Sequence, residues 1–176
     1  MPICRGSSVW RERLRACSRR GSSYPEPFRA QVEGRSKRPL GDAVGLRQFG
    51  VNLVELPPGC WSAQRHWHSH EDEFVYVVDG ELTLVTNAGE QVLRAGMAAG
   101  FPAGTPDGHH LINHTERTAV YLEVGTRRED FDECDYPDID MAVRQQGGRQ
   151  MYVRKSGEPY GPAPLPYQRS PQDEAT

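Results

Sequence analysis

From residue 49 to residue 124 the chain is a succession of short runs in which apolar and polar positions tend to alternate. They are FGVNLVEL (49–56), SAQRHWH (62–68), EFVYVV (73–78), ELTLVT (81–86), EQVLR (90–94), HHLIN (109–113) and AVYLEV (119–124). A period of two marks a strand with one face on a core, and the runs are rich in β-branched and aromatic residues. Turn signals separate them: PPG at 57–59, Asp79-Gly80, Asn87-Ala88-Gly89, and a Gly/Pro-dense loop from Gly96 to Gly108. The two-residue Asp79-Gly80 link predicts a type I′ hairpin joining EFVYVV to ELTLVT. No segment in this region has a 3.6-residue period. The expectation is an all-β protein, an antiparallel sandwich or barrel over residues 51–125.

The flanks read differently. Residues 1–23 carry six arginines and one acid and no apolar h-region, so they hold no secretory signal. The composition is compatible with an organelle transit peptide, but a disordered basic tail is the expectation. Residues 24–50 are polar and broken by Pro25, Pro27 and Pro39. They read as an N-terminal arm, which would pair with an exposed sheet edge, its own or a partner's, and so favour a homodimer. Residues 126–176 read as an irregular extension: seven acids fall within Glu129–Asp140, without the spacing of a calcium loop, and a proline-rich end follows. The acidic run is expected to be a solvated cover.

Composition narrows the class further. A chain of 176 residues, 36% hydrophobic, supports one core, and without a run of eighteen apolar residues there is no helical membrane span. The net charge of −3 hides an asymmetry. Residues 1–50 hold eleven Arg or Lys against four acids, and the remainder ten against twenty. No phosphate-cradling loop and no nucleic-acid signature appears. The four cysteines are widely spaced and form no CxxC pair, which suits free thiols in a reducing cytoplasm.

Chemistry concentrates in RHWHSHEDE (65–73), which holds three of the six histidines. On a strand His66 and His68 project to the same side, and two neighbouring imidazoles can share a metal ion. The turn after His68 lets Glu73 open the next strand with Val75 and Val77 on its face. A lone carboxylate in an apolar barrel is costly, and coordination removes that cost. His109, near the end of FPAGTPDGHH (101–110), offers a fourth ligand, while His110 would face the opposite way. His70 belongs to neither strand by spacing. It is placed at the pocket mouth, either as an exposed turn histidine or as a catalytic proton shuttle beside Glu71 and Asp72.

These residues resemble the cupins, whose first motif runs G-x5-H-x-H-x(3,4)-E-x6-G and whose second runs G-x5-P-x-G-x2-H-x3-N. Gly59, His66, His68, Glu73 and Gly80 match the first with one extra residue after Gly59, and Gly96, Pro102, Gly104, His109 and Asn113 match the second with two extra before His109. The phrases RHWHSHEDEFVYVVDGE, FPAGTPDGHHLIN and YLEVGTR are similar to a group of small single-domain bacterial cupins loosely labelled sugar-phosphate isomerase-like. The resemblance implies a single-domain jelly-roll β-barrel and frequent dimers. It also implies one divalent transition ion (Fe, Mn, Ni, Cu or Zn) on His66, His68, Glu73 and His109, acting on a small organic molecule. Dioxygenase, lyase or decarboxylase, and isomerase chemistry remain open beside a non-catalytic ligand- or metal-sensing barrel. The phosphate part of the label finds little support in the strands: Arg65 faces away from His66, and no Arg/Lys cluster lies among the expected inward positions.

Overall fold

The computed structural model describes residues 16–128, 131–146 and 149–161. Thirteen strands are present among them: β1 (Arg19–Arg20), β2 (Ser36–Pro39), β3 (Phe49–Leu56), β4 (Trp67–His68), β5 (Glu73–Asp79), β6 (Glu81–Thr86), β7 (Gly89–Arg94), β8 (Ala98–Phe101), β9 (His110–Ile112), β10 (Ala119–Thr126), β11 (Cys134–Tyr136), β12 (Met141–Gln146) and β13 (Arg149–Val153). One short helix, α1 (Leu40–Ala43), and a 3-10 turn at Ala30–Val32 lie in the arm.

The strands form three antiparallel sheets, of six strands (β1-β2-β3-β10-β5-β8), four (β13-β12-β11-β4) and three (β7-β6-β9). The main core lies between the six- and three-stranded sheets. Val54, Leu56, Val75, Val77 and Tyr121 come from the first, and Leu82, Leu84, Leu93 and Leu111 from the second. β5 shows the expected alternation: Val75 and Val77 are buried, while Phe74, Tyr76 and Val78 are 39–45% exposed. The result is a jelly-roll barrel: the alternating runs imply an antiparallel sandwich or barrel, and the cupin resemblance implies the jelly roll.

Four expectations change. The Asp79-Gly80 link is not a hairpin, because β5 and β6 belong to different sheets. A type I′ turn needs positive φ at both central residues, and among the described residues no non-glycine has one. Gly80, at φ +82, instead turns the chain from one sheet to the other, with its hydrogens against Ala119. The strand expected over 62–68 shrinks to Trp67–His68 plus a single bridge from His66 to His109. The Gly/Pro-dense loop contains β8, paired with β5. Finally, the stretch after Gly125 is not irregular throughout: β11 to β13 form the four-stranded sheet with β4.

The arm earns its place through this last sheet. Tyr24 and Val32 pack with Cys134, Tyr136, Met141 and Val143 in a second core, so the two flanks are packed on each other. β2 pairs with β3, Ser36 opposite Glu55 and Lys37 opposite Val54. The β3 edge is thus covered by its own chain. Of the basic tail, residues 1–15 lie outside the described residues, whereas Arg19–Arg20 pairs with Ser36–Lys37.

Gly80 and Gly45 share a left-handed backbone, φ +82 and +78. A Cβ at Gly80 would lie 3.1 Å from Ala119, whereas one at Gly45 meets nothing within 4 Å. Gly45→Ala is expected to cost about 1–2 kcal/mol from backbone strain alone, and Gly80→Ala about 1–3 kcal/mol more from overpacking. Urea denaturation measures both; equal losses would contradict the close approach.

Candidate metal centre

Two backbone ladders set the site. His66 and His109 exchange both hydrogen bonds, N–H to carbonyl at 3.2 and 2.9 Å, which places their side chains side by side. β4 then pairs with β11, His68 opposite Cys134. Glu73 opens β5 opposite Gly125 of β10 and Phe101 of β8. Asp72 holds the intervening turn: its carboxylate accepts from the Ala103 N–H at 2.8 Å, and its N–H donates to the Thr126 hydroxyl at 2.9 Å. The two extra residues before His109 are tethered as well, since Asp107 accepts from the Asn87 N–H at 2.7 Å. Arg65 faces away, as expected, and clamps Asp138 with two bonds of 2.6–2.7 Å.

The four expected residues converge. His109 Nε2–H donates to Glu73 Oε2 at 2.8 Å, and the Nε2 atoms of His66 and His68 lie 3.6 and 3.7 Å from the same oxygen. The other ring nitrogens face outward. His66 Nδ1–H donates to the Gln64 carbonyl at 2.8 Å, and His68 Nδ1–H donates to Asp132 Oδ2 at 2.6 Å. These bonds select tautomers with Nε2 pointing at Glu73. His109 is oriented by stacking instead: the Phe101 ring lies parallel to it with centroids 3.5 Å apart, and its Nδ1 is buried without a partner among the described residues.

Electrostatics follow from burial and pairing. Burial drives the His66 pKa down to about 4, against the pull of Glu73, so the ring is neutral at pH 7. Burial also opposes a charge on His68, but its hydrogen bonds to Asp132 and Cys134 outweigh it and raise the pKa to about 11. Burial would raise the pKa of Glu73, yet the His109 hydrogen bond and the neighbouring imidazoles hold it well below the carboxylate range. The centre therefore holds the Glu73 carboxylate, a neutral His66 and a His68 imidazolium paired with the Asp132 carboxylate.

Donors lying cis around an ion at about 2.1 Å are separated by about 3 Å, and the 2.8–3.7 Å spread around Glu73 is close to that spacing. His66, His68 and Glu73 bring their ligand atoms within 4.8 Å of one another as a mixed nitrogen–oxygen group, which His109 joins through its 2.8 Å contact with Glu73. A second group, His68, Asp132 and Cys134, also brings its ligand atoms within 4.8 Å of one another. Its members meet at His68 Nδ1, the ring nitrogen turned away from Glu73, with Asp132 Oδ2 at 2.6 Å and Cys134 Sγ at 3.1 Å. Here Asp132 reads as the partner that orients His68.

His70 does not join the cluster. Its side chain is exposed, its Nδ1 lies 2.8 Å from the Ser69 hydroxyl, and its N–H donates to Asp132 Oδ1. The turn that carries Glu73 inward carries His70 outward. His110 faces away from His109, buried against Trp61 with ring centroids 4.7 Å apart and Nδ1–H donating to the Ala63 carbonyl.

A cavity of about 230 Å³ opens beside the cluster. Its far wall corrects a reading made from the strands alone, because Arg35 and Lys37 of the arm line it together with Tyr121 and Glu123 of β10. Lys37 pairs with Val54, and Val54 with Tyr121, so all three share the inner face. Asp132 was equally hidden, as one buried acid (1% exposed) in a run that reads as solvated. For Arg35 and Lys37 the available signal was their i, i+2 spacing.

The chain belongs to the cupin superfamily. A cupin domain model matches residues 52–125. A protein from Silicibacter pomeroyi, described as a sugar phosphate isomerase of the cupin superfamily, is 46% identical, with 82% of this chain and 92% of that one covered and a TM-score of 0.78. A second, from Acidithiobacillus ferrooxidans, whose description as a sugar phosphate isomerase is itself provisional, is 34% identical over 70% of this chain and 78% of that one, with a TM-score of 0.65. The polyketide cyclase RemF from Streptomyces resistomycificus shares the fold at 20% identity, with 67% of this chain and 79% of that one covered and a TM-score of 0.53. No curated protein matches the chain. Among the described residues, no helix is long and apolar enough to cross a membrane.

The charge pair His68–Asp132 gives metal-free protein a two-sided pH dependence. Asp132 is depressed in the fold; burial opposes this, but the bonds from His68 and the His70 N–H prevail. On acidification the unfolded chain takes up the proton first, so stability falls below about pH 4. His68 is raised, so its contribution is complete below about pH 6.5 and is lost as pH climbs towards about 11. In chelator-treated protein, urea midpoints should peak between these limits, and Asp132→Asn should flatten both limbs. An unchanged profile in Asp132→Asn would contradict the pairing.

Proposed function

We propose that the protein is a metal-dependent cupin in which His66, His68, Glu73 and His109 hold one divalent transition ion beside a small organic molecule in the cavity. The observation that carries this reading is the approach of three Nε2 atoms to a single Glu73 oxygen, at 2.8, 3.6 and 3.7 Å. When bound, the ion supplies Lewis acidity or a platform for O₂ at its open positions. Three imidazoles and one carboxylate suit Fe, Mn, Ni, Cu or Zn alike.

The chain's own residues have separable tasks. Gln64 and Asp132 fix the outer nitrogens of His66 and His68, and Phe101 fixes the His109 ring. Glu73 is a carboxylate at every working pH. Val75 and Leu111 give the cavity apolar wall, and Tyr121 and Glu123 its polar wall. The descriptions of the two more similar relatives support a small sugar-derived substrate and isomerase chemistry, ahead of dioxygenase or decarboxylase chemistry. A binding or sensing role predicts metal and ligand uptake without turnover, which assays with each reconstituted ion separate from catalysis.

Full-length protein purified without chelators is expected to carry about one ion per chain and to lose melting temperature when it is stripped. Asp132→Asn should weaken metal binding about 10–100-fold by freeing the His68 ring, whereas His70→Ala should leave it unchanged. Metal titration followed by elemental analysis reads both. A His70→Ala variant that loses its ion would overturn the ligand assignment.

The homodimer is proposed through a face rather than an edge. Phe74, Tyr76 and Val78 stand exposed on β5, with Leu122 and Val124 opposite Tyr76 and Phe74 on β10. This is an apolar stripe on a chain of mean hydropathy −0.70. A two-fold axis sets the same patch of both copies against itself, so a second copy of the chain is the fitting cover. Phe74→Glu with Tyr76→Glu should yield a folded monomer in light scattering. A dimer that survives both changes would exclude this face.

A further inference from the structure

We propose that the N-terminal arm completes the cavity as an anion-binding subsite, in which Arg35 and Lys37 grip the phosphate or carboxylate of the small molecule whose other end meets the His66–His68–Glu73–His109 cluster. The inference rests on the reading of this cavity as a ligand site, and it adds both a substrate class and a second segment of chain that recognises it.

Three observations carry it. First, Arg35 and Lys37 line the same cavity as the cluster. They reach it because β2 adds to the open edge of β3, with Lys37 in register with Val54 and hence on the inner face with Tyr121. Arg35 lies two residues earlier and follows the same alternation.

Second, the wall holds a donor with nothing to donate to. Arg35 spends Nη1 on the Ser62 carbonyl, while its buried Nε has no partner among the described residues. The Tyr121 hydroxyl is buried in the same wall beside the Ser62 hydroxyl. Buried donors are almost always satisfied, and groups left unpaired in a cavity wall mark the place of an absent acceptor. An oxyanion offers several lone pairs to such donors at once.

Third, the charge balance favours an anion. Lys37 Nζ lies 2.6 Å from Glu123 Oε1, which also accepts from Asn52 Nδ2 at 3.1 Å. Glu123 is thus tied to Lys37, and among the described residues Arg35 makes no direct ion pair with a carboxylate. At the other end Glu73 offsets only half the charge of a divalent ion. A ligand that is anionic at one end and carries oxygen donors at the other complements both.

The test titrates inorganic phosphate, followed by ³¹P NMR, and [¹³C]acetate, followed by ¹³C NMR, into full-length protein in zinc-loaded and chelator-treated forms. Metal content and melting temperature are measured on every sample. Binding of either anion supports the proposal when it persists without zinc and weakens at least tenfold in Arg35→Ala and in Lys37→Met, with a smaller loss in Arg35→Lys. The tighter of the two anions then identifies the group recognised. Should Arg35→Ala fail to fold, Lys37→Met and Arg35→Lys carry the comparison. Binding unchanged in the variants, binding abolished by the chelator alone, or no binding of either anion to wild type at millimolar concentration would overturn it. Arg35-dependent binding by wild-type protein that takes up no zinc when zinc is supplied would instead sink the metal reading and leave the subsite standing.

Discussion

A carboxylate inside a β-barrel needs partners, and Glu73 is the constraint around which this molecule is organised. It begins β5 on the same face as Val75 and Val77, which are at most 6% exposed. An isolated charge there would be several kcal/mol unfavourable. Three imidazoles, two from the stretch before β5 and one from the loop before β9, close on one of its oxygens and remove that penalty. The same arrangement supplies the donors for the proposed metal ion. Stability and chemistry thus draw on one convergence of side chains.

Each sheet contributes something the others lack. The six-stranded sheet carries Glu73, Tyr121, Glu123 and, through the added arm strand, Lys37. The barrel core beneath it fixes β5 and β10 against each other. The four-stranded sheet, built from the extension, sets Cys134 opposite His68 and brings Asp132 to its ring. The arm and the extension share a core of Tyr24, Val32, Tyr136 and Met141, so a change in either flank reaches the cavity from both sides.

What could be read from the sequence was what is local. His66 and His68 are two residues apart, and Glu73 starts an alternating run whose buried face is unambiguous, so three of the four clustered residues follow from spacing. His109 followed from the loop and strand after it, even with two additional residues in that loop. Local signals also misled. Asp79-Gly80 has the composition of a hairpin, but only Gly80 takes positive φ, and the chain leaves one sheet for another there. The remainder was hidden because it depends on long-range pairing. Nothing near Arg35 and Lys37 announces that β2 adds to β3. Nothing in an acid-rich run singles out Asp132 until β11 pairs with β4. Residues that look like solvated arm and acidic cover became cavity wall and ligand support.

The central claim is the identity of the atoms around the ion. X-ray absorption at the metal edge of full-length protein purified without chelators measures them directly. The account predicts an all nitrogen–oxygen shell at about 2.0–2.2 Å with the multiple scattering of three imidazoles. A sulfur scatterer at about 2.3 Å would move the ion to the His68–Asp132–Cys134 group and contradict it, as would a shell with fewer than three imidazoles.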